Sequence, residues 1–301
     1  MKWVTFINPQ GLERAGWLLP NGVVDMHRAS GGELPKDLLS LIQHFGKYEK
    51  KVKDLFLNTP PSHTHREVTL LAPLPRPVSF RDFYAFEEHV KTAREKRGLS
   101  VVDEWYEIPV FYFSNHLSIR GPQQKIIAPK ECKWLDYELE VACVIGAEGR
   151  NISKESADKY IFGYCILNDW SARDLQRQEM KVGLGPAKGK DFATSIGPYI
   201  ITPDELEKYK TDSGYHLEMI ASVNGQLLSK GNLADIYYSF SEMIERASTD
   251  ITLYPGELIG SGTVGSGCIL ELGTDVHRWL QSGDEVELRV TGLGVLKNKV
   301  F

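Results

Sequence analysis

The chain has 301 residues, of which 42% are hydrophobic and 25% charged, and its formal net charge is −5. This composition is typical of a soluble globular protein, and the charge favours neither nucleic acid nor an anionic membrane surface as a partner. No apolar run approaches the roughly 20 residues that cross a bilayer. The first nine residues lack the features of a signal peptide. Four widely spaced cysteines indicate reduced thiols, so we expect a cytoplasmic protein.

The first 72 residues are predicted to form a small β/α domain. The residue pattern predicts strands at 3–7, 13–19 and 23–26 and a helical segment at 35–57 that breaks near Gly46. Residues 58–65 resemble a linker, and the proline-rich stretch at 70–77 marks the boundary. We therefore predict domains at 1–72 and 73–301.

The stretch Leu135–Gly146 predicts a strand that carries acidic side chains. Side chains of a strand alternate between its faces, so Glu138 and Glu140 point the same way, and Asp136 joins them. Neighbouring carboxylates repel each other unless positive charge lies between them, and a divalent cation with oxygen ligands would supply it. The alternative is a solvated acidic edge of a sheet.

Two segments downstream favour a ligand site over a solvated edge. A buried strand at 160–167 runs into the sequence N-D-W-S-A-R-D-L-Q, which places Asp169 next to Arg173. A glycine-rich loop at 183–194 carries two lysines, but it lacks the P-loop pattern because Asp191 follows Lys190. The last third of the chain is predicted to be β-rich.

Together these motifs resemble the fumarylacetoacetate hydrolase family over roughly residues 74–301. The D-x-E-x-E strand, the N-D-W-S-A-R-D-x-Q block and the K-G-K-x-F loop occur in the family's order and spacing. The spacing from Asp82 to His89 and the late L-E-L around Glu271 are similar to the hydrolases proper. The resemblance implies an α+β fold with a mixed β-sheet roll, and a homodimer. Judged by themselves, Asp82 would be a helix N-cap and His89 an ordinary residue of a helix that begins near Ala85.

The resemblance also implies site residues. The metal, Mg²⁺ with Mn²⁺ or Ca²⁺ as alternatives, would be bound by Asp82, Glu138, Glu140 and Asp169. A histidine held by a carboxylate would activate water, and a lysine would stabilise the carbanion that leaves; these residues are His89, Glu271 and Lys190. The expected substrate contacts are Tyr84, Arg173, Gln176, Tyr112 and Thr263.

The expected function is a metal-dependent hydrolase that cleaves a C–C bond in a small diketo acid. The family's fold also hosts oxaloacetate-type decarboxylases, oxo-acid isomerases and sugar-acid dehydratases, and a metal-stabilised binding or scaffold protein is the non-enzyme alternative. Residues 178–180 depart from the hydrolases proper, because Met180 stands where they carry a substrate-contacting tyrosine. Thr92 excludes a His-x-x-Glu pair at His89. The charged segment 91–102 is either a mobile lid or a solvated helix.

Overall fold

The computed structural model describes residues 1–211 and 214–301. The strands are β1 Lys2–Ile7, β2 Glu13–Leu19, β3 Gly22–Asp25, β4 Thr69–Leu70, β5 Phe80–Phe83, β6 Phe111–Phe113, β7 Ile119–Arg120, β8 Lys125–Ile126, β9 Leu135–Asp136, β10 Leu139–Ile145, β11 Gly149–Arg150, β12 Ile161–Asp169, β13 Ser171–Ala172, β14 Thr194–Ile201, β15 Lys210–Thr211, β16 Gly214–Tyr215, β17 Glu218–Val223, β18 Gln226–Asn232, β19 Thr252–Leu253, β20 Leu258–Gly260, β21 Glu285–Val290 and β22 Gly294–Val300. The α-helices are α1 Met26–Ala29, α2 Leu38–Gln43, α3 Phe45–Asn58, α4 Glu87–Glu95, α5 Glu104–Glu107, α6 Arg173–Met180, α7 Phe240–Ser248 and α8 Ile269–Leu272.

Two sheets dominate the fold. An eleven-stranded mixed sheet has the order β3-β2-β1-β14-β12-β10-β20-β5-β6, with β4 beside β1 and β7 beside β14. A five-stranded sheet has the order β18-β17-β21-β22-β8. The predicted α+β class is confirmed. Among the described residues, no helix is both long and apolar enough to cross a membrane.

The N-terminal strands continue the large sheet. β1 pairs antiparallel with β14, where Lys2 lies opposite Ile201 and Trp3 opposite Ile200. Trp3 is fully buried and packs edge-on against Trp17, with ring centroids 5.9 Å apart. The division into domains at residue 72 remains a proposal. Residues on both sides of this boundary contribute strands to the same sheet.

Several elements differ locally from those predicted. The strand predicted at 135–146 is divided into β9 and β10, and residues 137 and 138 lie between them. The first helical segment is broken at His44, close to the predicted position near Gly46. Asp82 is not a helix N-cap: it is a buried residue of β5, and α4 begins only at Glu87. Within the β-rich last third, Glu271 lies in the short helix α8.

The centre of the large sheet brings distant parts of the chain together. Asp82 on β5 lies opposite Tyr112 on β6 and Gly260 on β20. β10 pairs with β20 on one side and with β12 on the other, and at the end of β12 Asp169 lies opposite Thr194 on β14. Of six adjacent strands, five therefore carry polar residues toward the same region, and β20 contributes Gly260.

Gly260 is required by this arrangement. A Cβ atom at this position would lie 2.4 Å from Oδ1 of Asp82. Because that contact is far closer than packed atoms tolerate, any side chain at 260 would displace the Asp82 carboxylate.

Candidate active site

Four carboxylates, which we call the carboxylate cluster, converge at the centre of the large sheet. They are Asp82, Glu138, Glu140 and Asp169. All four are at most 5% exposed. The extended backbone from β9 into β10 keeps Glu138 and Glu140 on one side, as predicted. Asn168 supports that geometry, because its side-chain oxygen accepts a hydrogen bond from the Glu138 backbone N–H at 3.0 Å.

The cluster holds more negative charge than its protein partners neutralise. Burial raises the pKa of Asp82 well above its usual range, and the Asp169 carboxylate adds to the shift. Burial and the Asp82 carboxylate do the same to the pKa of Glu140. Within residues 1–211 and 214–301, Oδ1 of Asp82 and Oε2 of Glu140 have no hydrogen-bond partner. Two buried carboxylate oxygens without partners are what a hard divalent cation would bind.

Lys190 and Arg173 neutralise one side of the cluster. The Lys190 ammonium lies 2.5 Å from a Glu138 oxygen and 2.6 Å from an Asp169 oxygen. Arg173 lies 2.8 Å from the other Glu138 oxygen. Burial opposes the charge of Glu138, but the two cations outweigh it and lower the pKa of Glu138 to about 2. Burial likewise opposes the charge of Lys190, but the Asp169 and Glu138 carboxylates raise its pKa. Lys190 is therefore a protonated, buried ammonium.

His89 and Glu271 form the predicted pair. His89 projects from α4 and Glu271 from α8, and Nδ1 of His89 lies 2.8 Å from Oε2 of Glu271. Two backbone N–H groups fix the carboxylate, from Ser266 at 3.0 Å and from Gly267 at 3.1 Å. The ring of Tyr84 packs perpendicular to the imidazole, with centroids 5.3 Å apart.

The other predicted substrate contacts are near the cluster, but several are bonded to protein groups. Tyr112 donates its hydroxyl to Asp169 at 2.6 Å, and the Thr263 hydroxyl donates to Glu140 at 3.3 Å. Arg173 donates to the Gln176 side-chain oxygen at 3.1 Å. The structure therefore brings all the predicted site residues into one region.

The sequence interpretation missed what Asp136 and Cys268 do. Asp136 lies on the predicted face, but it binds Arg173 at 2.9 Å and the backbone of α8. The Cys268 thiol donates to Glu271 at 3.3 Å. No signal in the sequence indicates either contact, because both depend on how α8 packs against the sheet.

A comparison with protein families shows which family the chain belongs to. Residues 79–301 match the family described as Fumarylacetoacetate (FAA) hydrolase C-terminal. The chain belongs to this fumarylacetoacetate hydrolase family. The match includes all the predicted site residues.

Known relatives differ in their activities. Oxaloacetate tautomerase FAHD2B, mitochondrial, from Bos taurus is 30% identical over 292 residues, 93% of this chain and 84% of the bovine protein. Fumarylacetoacetase from Dictyostelium discoideum is 30% identical, with 75% of this chain and 68% of that protein covered. The structure of fumarylacetoacetate hydrolase from Exiguobacterium antarcticum aligns with a TM-score of 0.78 at 27% identity, over 100% of this chain and 99% of that one. The chain therefore belongs to an enzyme superfamily with both hydrolase and tautomerase members.

Proposed function

We propose that this protein is a divalent-metal-dependent hydrolase that cleaves a C–C bond in a small diketo acid. The observation that carries the proposal is the buried His89–Glu271 pair beside the carboxylate cluster, in which Nδ1 of His89 lies 2.8 Å from Oε2 of Glu271. A hydrolase needs a base for water, whereas a decarboxylase does not.

The carboxylate cluster is the proposed metal site. Its four carboxylates and two partnerless oxygens suit Mg²⁺, with Mn²⁺ or Ca²⁺ as alternatives. A bound ion would supply a Lewis acid that polarises the substrate's oxygens and favours the enolate leaving group.

The chain's own residues would supply the rest of the reaction. The Glu271 carboxylate, 2.8 Å from Nδ1 of His89, would favour by charge attraction the ring tautomer with its proton on Nδ1, so that Nε2 can accept a proton from water. Lys190 stays protonated between two carboxylates, and its ammonium would stabilise the developing negative charge or return a proton to the departing carbon. Arg173 and Gln176, which contact each other, would orient the substrate's oxygens.

The test follows the ultraviolet absorbance of enolised diketo acids after mixing with the protein. Fumarylacetoacetate, fumarylpyruvate and acetylpyruvate would each be assayed with Mg²⁺ and with a chelator. We expect metal-dependent loss of at least one absorbance in the wild type and a loss of about 100-fold or more in kcat for His89→Ala, the usual contribution of a general base. His65→Ala, an exposed histidine in the N-terminal part, is the matched control. Full activity of His89→Ala on a diketo acid would contradict the proposed role of the pair.

Oxaloacetate tautomerisation is the second candidate, favoured by the bovine relative that aligns with 93% of this chain. The two reactions share the enolate of an oxo acid, but a tautomerase only moves a proton and needs no activated water. The same assay with enol-oxaloacetate separates them. Loss of its absorbance without pyruvate formation, unchanged in His89→Ala, would favour the tautomerase; pyruvate formation would indicate a decarboxylase.

A further inference from the structure

A second group of potential metal ligands lies next to the carboxylate cluster, and its chemistry is different. His89, Cys268 and Glu271, which we call the soft-ligand cluster, can place one nitrogen, one sulfur and one oxygen atom within 4.8 Å of one another. All three residues are buried. Nitrogen and thiolate ligands select zinc-like ions, whereas an all-carboxylate site selects magnesium-like ions.

The geometry within the soft-ligand cluster is compact. Oε2 of Glu271 lies 2.8 Å from Nδ1 of His89 and 3.3 Å from Sγ of Cys268. Despite its short distance to Glu271, Nδ1 of His89 is not aligned for a hydrogen bond to any of the described residues. His89 is 4% exposed, so this nitrogen is a buried polar atom aimed at the cluster without a properly oriented partner.

We propose that His89, Cys268 and Glu271 bind a zinc-like cation and that this ion inhibits the enzyme. Tetrahedral zinc bonds of about 2.0–2.3 Å place neighbouring ligand atoms about 3.3–3.6 Å apart. Sγ of Cys268 already lies 3.3 Å from Oε2 of Glu271, whereas Nδ1 of His89 would have to move away from its present 2.8 Å. A water molecule would complete the tetrahedral coordination.

The positions of the protons on Cys268 and His89 explain why such an ion would inhibit the enzyme. Burial raises the pKa of the Cys268 thiol, so the bound cation would have to displace the thiol proton, which passes to water, before the thiolate becomes a ligand. A metal on Nδ1 of His89 forces the ring proton onto Nε2, so that nitrogen can no longer accept a proton from water. The ion also occupies the Glu271 oxygen that faces the imidazole. The inhibition rests on the role proposed above for His89, whereas the binding does not.

The binding test uses Cd²⁺ as a probe of thiolate ligation. The full chain is kept in excess Mg²⁺ to fill the carboxylate cluster, and Cd²⁺ is added while the thiolate-to-cadmium charge-transfer absorbance is measured. We expect absorbance that saturates at one ion per chain in the wild type and is lost in Cys268→Ser. Cys132→Ser is the matched control, because Cys132 is a free and partly exposed thiol, and it should behave as the wild type. Absence of the absorbance in the wild type, or its persistence in Cys268→Ser, would overturn the proposal.

A second variant keeps the test decisive if Cys268→Ser does not fold. His89→Gln removes the nitrogen ligand and leaves the thiol, so Cd²⁺ should bind about tenfold or more weakly while the absorbance at saturation persists. Unchanged Cd²⁺ affinity in His89→Gln would overturn the assignment of His89 as a ligand.

The functional test compares inhibition by Zn²⁺ at saturating Mg²⁺. Each variant's turnover before zinc addition is its own reference. Zinc should inhibit the wild type and Cys132→Ser but not Cys268→Ser, whose hydroxyl is a poor zinc ligand. Equal inhibition of all three would overturn the link to activity. If no diketo acid is turned over, the proposed function fails, while the absorbance measurements still decide whether the site exists.

Discussion

At the scale of single residues, Asp136 connects the two halves of the candidate site. Its carboxylate is fully buried and accepts hydrogen bonds from Nε of Arg173 at 2.9 Å and from the backbone N–H groups of Ile269 at 2.8 Å and Leu270 at 3.0 Å. Arg173 lies beside the carboxylate cluster, and the helix that contains residues 269 and 270 also carries Glu271. The Asp136 side chain thus positions Arg173, the proposed substrate-binding residue, and the helix whose Glu271 contacts the proposed base His89.

Replacement of Asp136 by Asn should weaken the positioning of both Arg173 and the helix α8. An amide nitrogen in place of Oδ2 would face the Arg173 and Leu270 donors, so two hydrogen bonds would be lost in a buried site. We expect an unfolding free energy lower by about 1–3 kcal/mol, measured by urea denaturation. We also expect a lower kcat together with a higher KM for the diketo acid.

Asp174→Asn is the control, because Asp174 also accepts a backbone hydrogen bond, from Lys133 at 2.7 Å, but at the protein surface. Wild-type kcat and KM in Asp136→Asn would show that Asp136 only stabilises the fold.

At the scale of elements, the loop that carries Lys190 is held by one side chain of α6. Glu179 accepts backbone hydrogen bonds from Ala187 at 2.8 Å, Lys188 at 2.7 Å and Gly189 at 3.2 Å. Gly189 also packs so closely on Gln176 that a Cβ atom would lie 2.7 Å from the Gln176 backbone nitrogen. The loop is thereby fixed just before Lys190.

Glu179→Ala should loosen this loop without unfolding the protein. Three backbone N–H groups would lose their acceptor but gain access to water, since Glu179 is only half-buried. We expect faster amide hydrogen exchange at residues 187–189 and a kcat lower by about tenfold, because misplaced catalytic groups cost activity steeply. The neighbouring Gln178→Ala is the control. Faster exchange with unchanged kcat would mean that Lys190 does not depend on this loop for its position.

The elements also show where sequence reasoning succeeds and where it stops. Alternation along a strand correctly placed Glu138 and Glu140 on one side, because that property is local. Alternation could not place Asp82, because the residues that follow it have helical propensity. Asp82 lies in a strand that forms by pairing with β20, where its partner Gly260 is 178 positions away in the sequence. Nor could alternation find Asp136's contact with α8, which depends on packing. Family resemblance supplied Asp82, His89 and Glu271, which no local pattern connects.

A second feature at the scale of elements predicts that stability depends on pH. Asp284 accepts hydrogen bonds from Arg278 at 2.6 and 2.9 Å and from the Asn224 side chain at 2.8 Å, and so joins two turns of the five-stranded sheet. Burial opposes its charge, but the Arg278 hydrogen bonds outweigh burial and lower the pKa of Asp284 to about 2. A lowered pKa means that the stabilisation is present above the ordinary aspartate pKa of about 4 and is lost as the pH falls through about 2.

Asp284→Asn should therefore lower the unfolding free energy at neutral pH by about 1–3 kcal/mol, the typical value for losing a charged hydrogen bond. The difference from the wild type should shrink as the pH falls from about 4 to about 2. Asp275→Asn, an exposed carboxyl nearby, is the control and should show little difference at either pH. Urea denaturation at several pH values measures the unfolding free energy of each protein. A difference between Asp284→Asn and the wild type that stays constant down to pH 2 would contradict the stabilising role of the Asp284 charge.

At the scale of the whole molecule, the centre of the large sheet carries a stability cost that a metal ion would relieve. Asp82 on β5 and Glu140 on β10 are buried on either side of β20. Besides burial, a neighbouring carboxylate raises the pKa of each: that of Asp169 for Asp82, and that of Asp82 for Glu140. Buried like charges destabilise a folded protein unless they are neutralised. Composition gave no sign of this concentration, because the net charge of −5 is spread over 301 residues in the sequence and gathers at one site only in the fold.

This charge arrangement predicts opposite effects of one substitution with and without metal. Mg²⁺ at 100 times its dissociation constant should raise the wild-type unfolding free energy by about 2.7 kcal/mol. Glu140→Gln removes one buried charge, so its metal-free melting temperature should exceed that of the wild type, because repulsion with Asp82 is gone. The same variant lacks a proposed ligand, so its response to Mg²⁺ should nearly vanish.

Calorimetry of both proteins with Mg²⁺ and with a chelator measures these effects. Glu218→Gln on the five-stranded sheet, whose partner is the surface residue Lys230, is the control. An equal Mg²⁺-induced shift in Glu140→Gln and the wild type would place the ion elsewhere, whereas a lower metal-free melting temperature would show that Glu140 stabilises the fold by its hydrogen bond from Thr263.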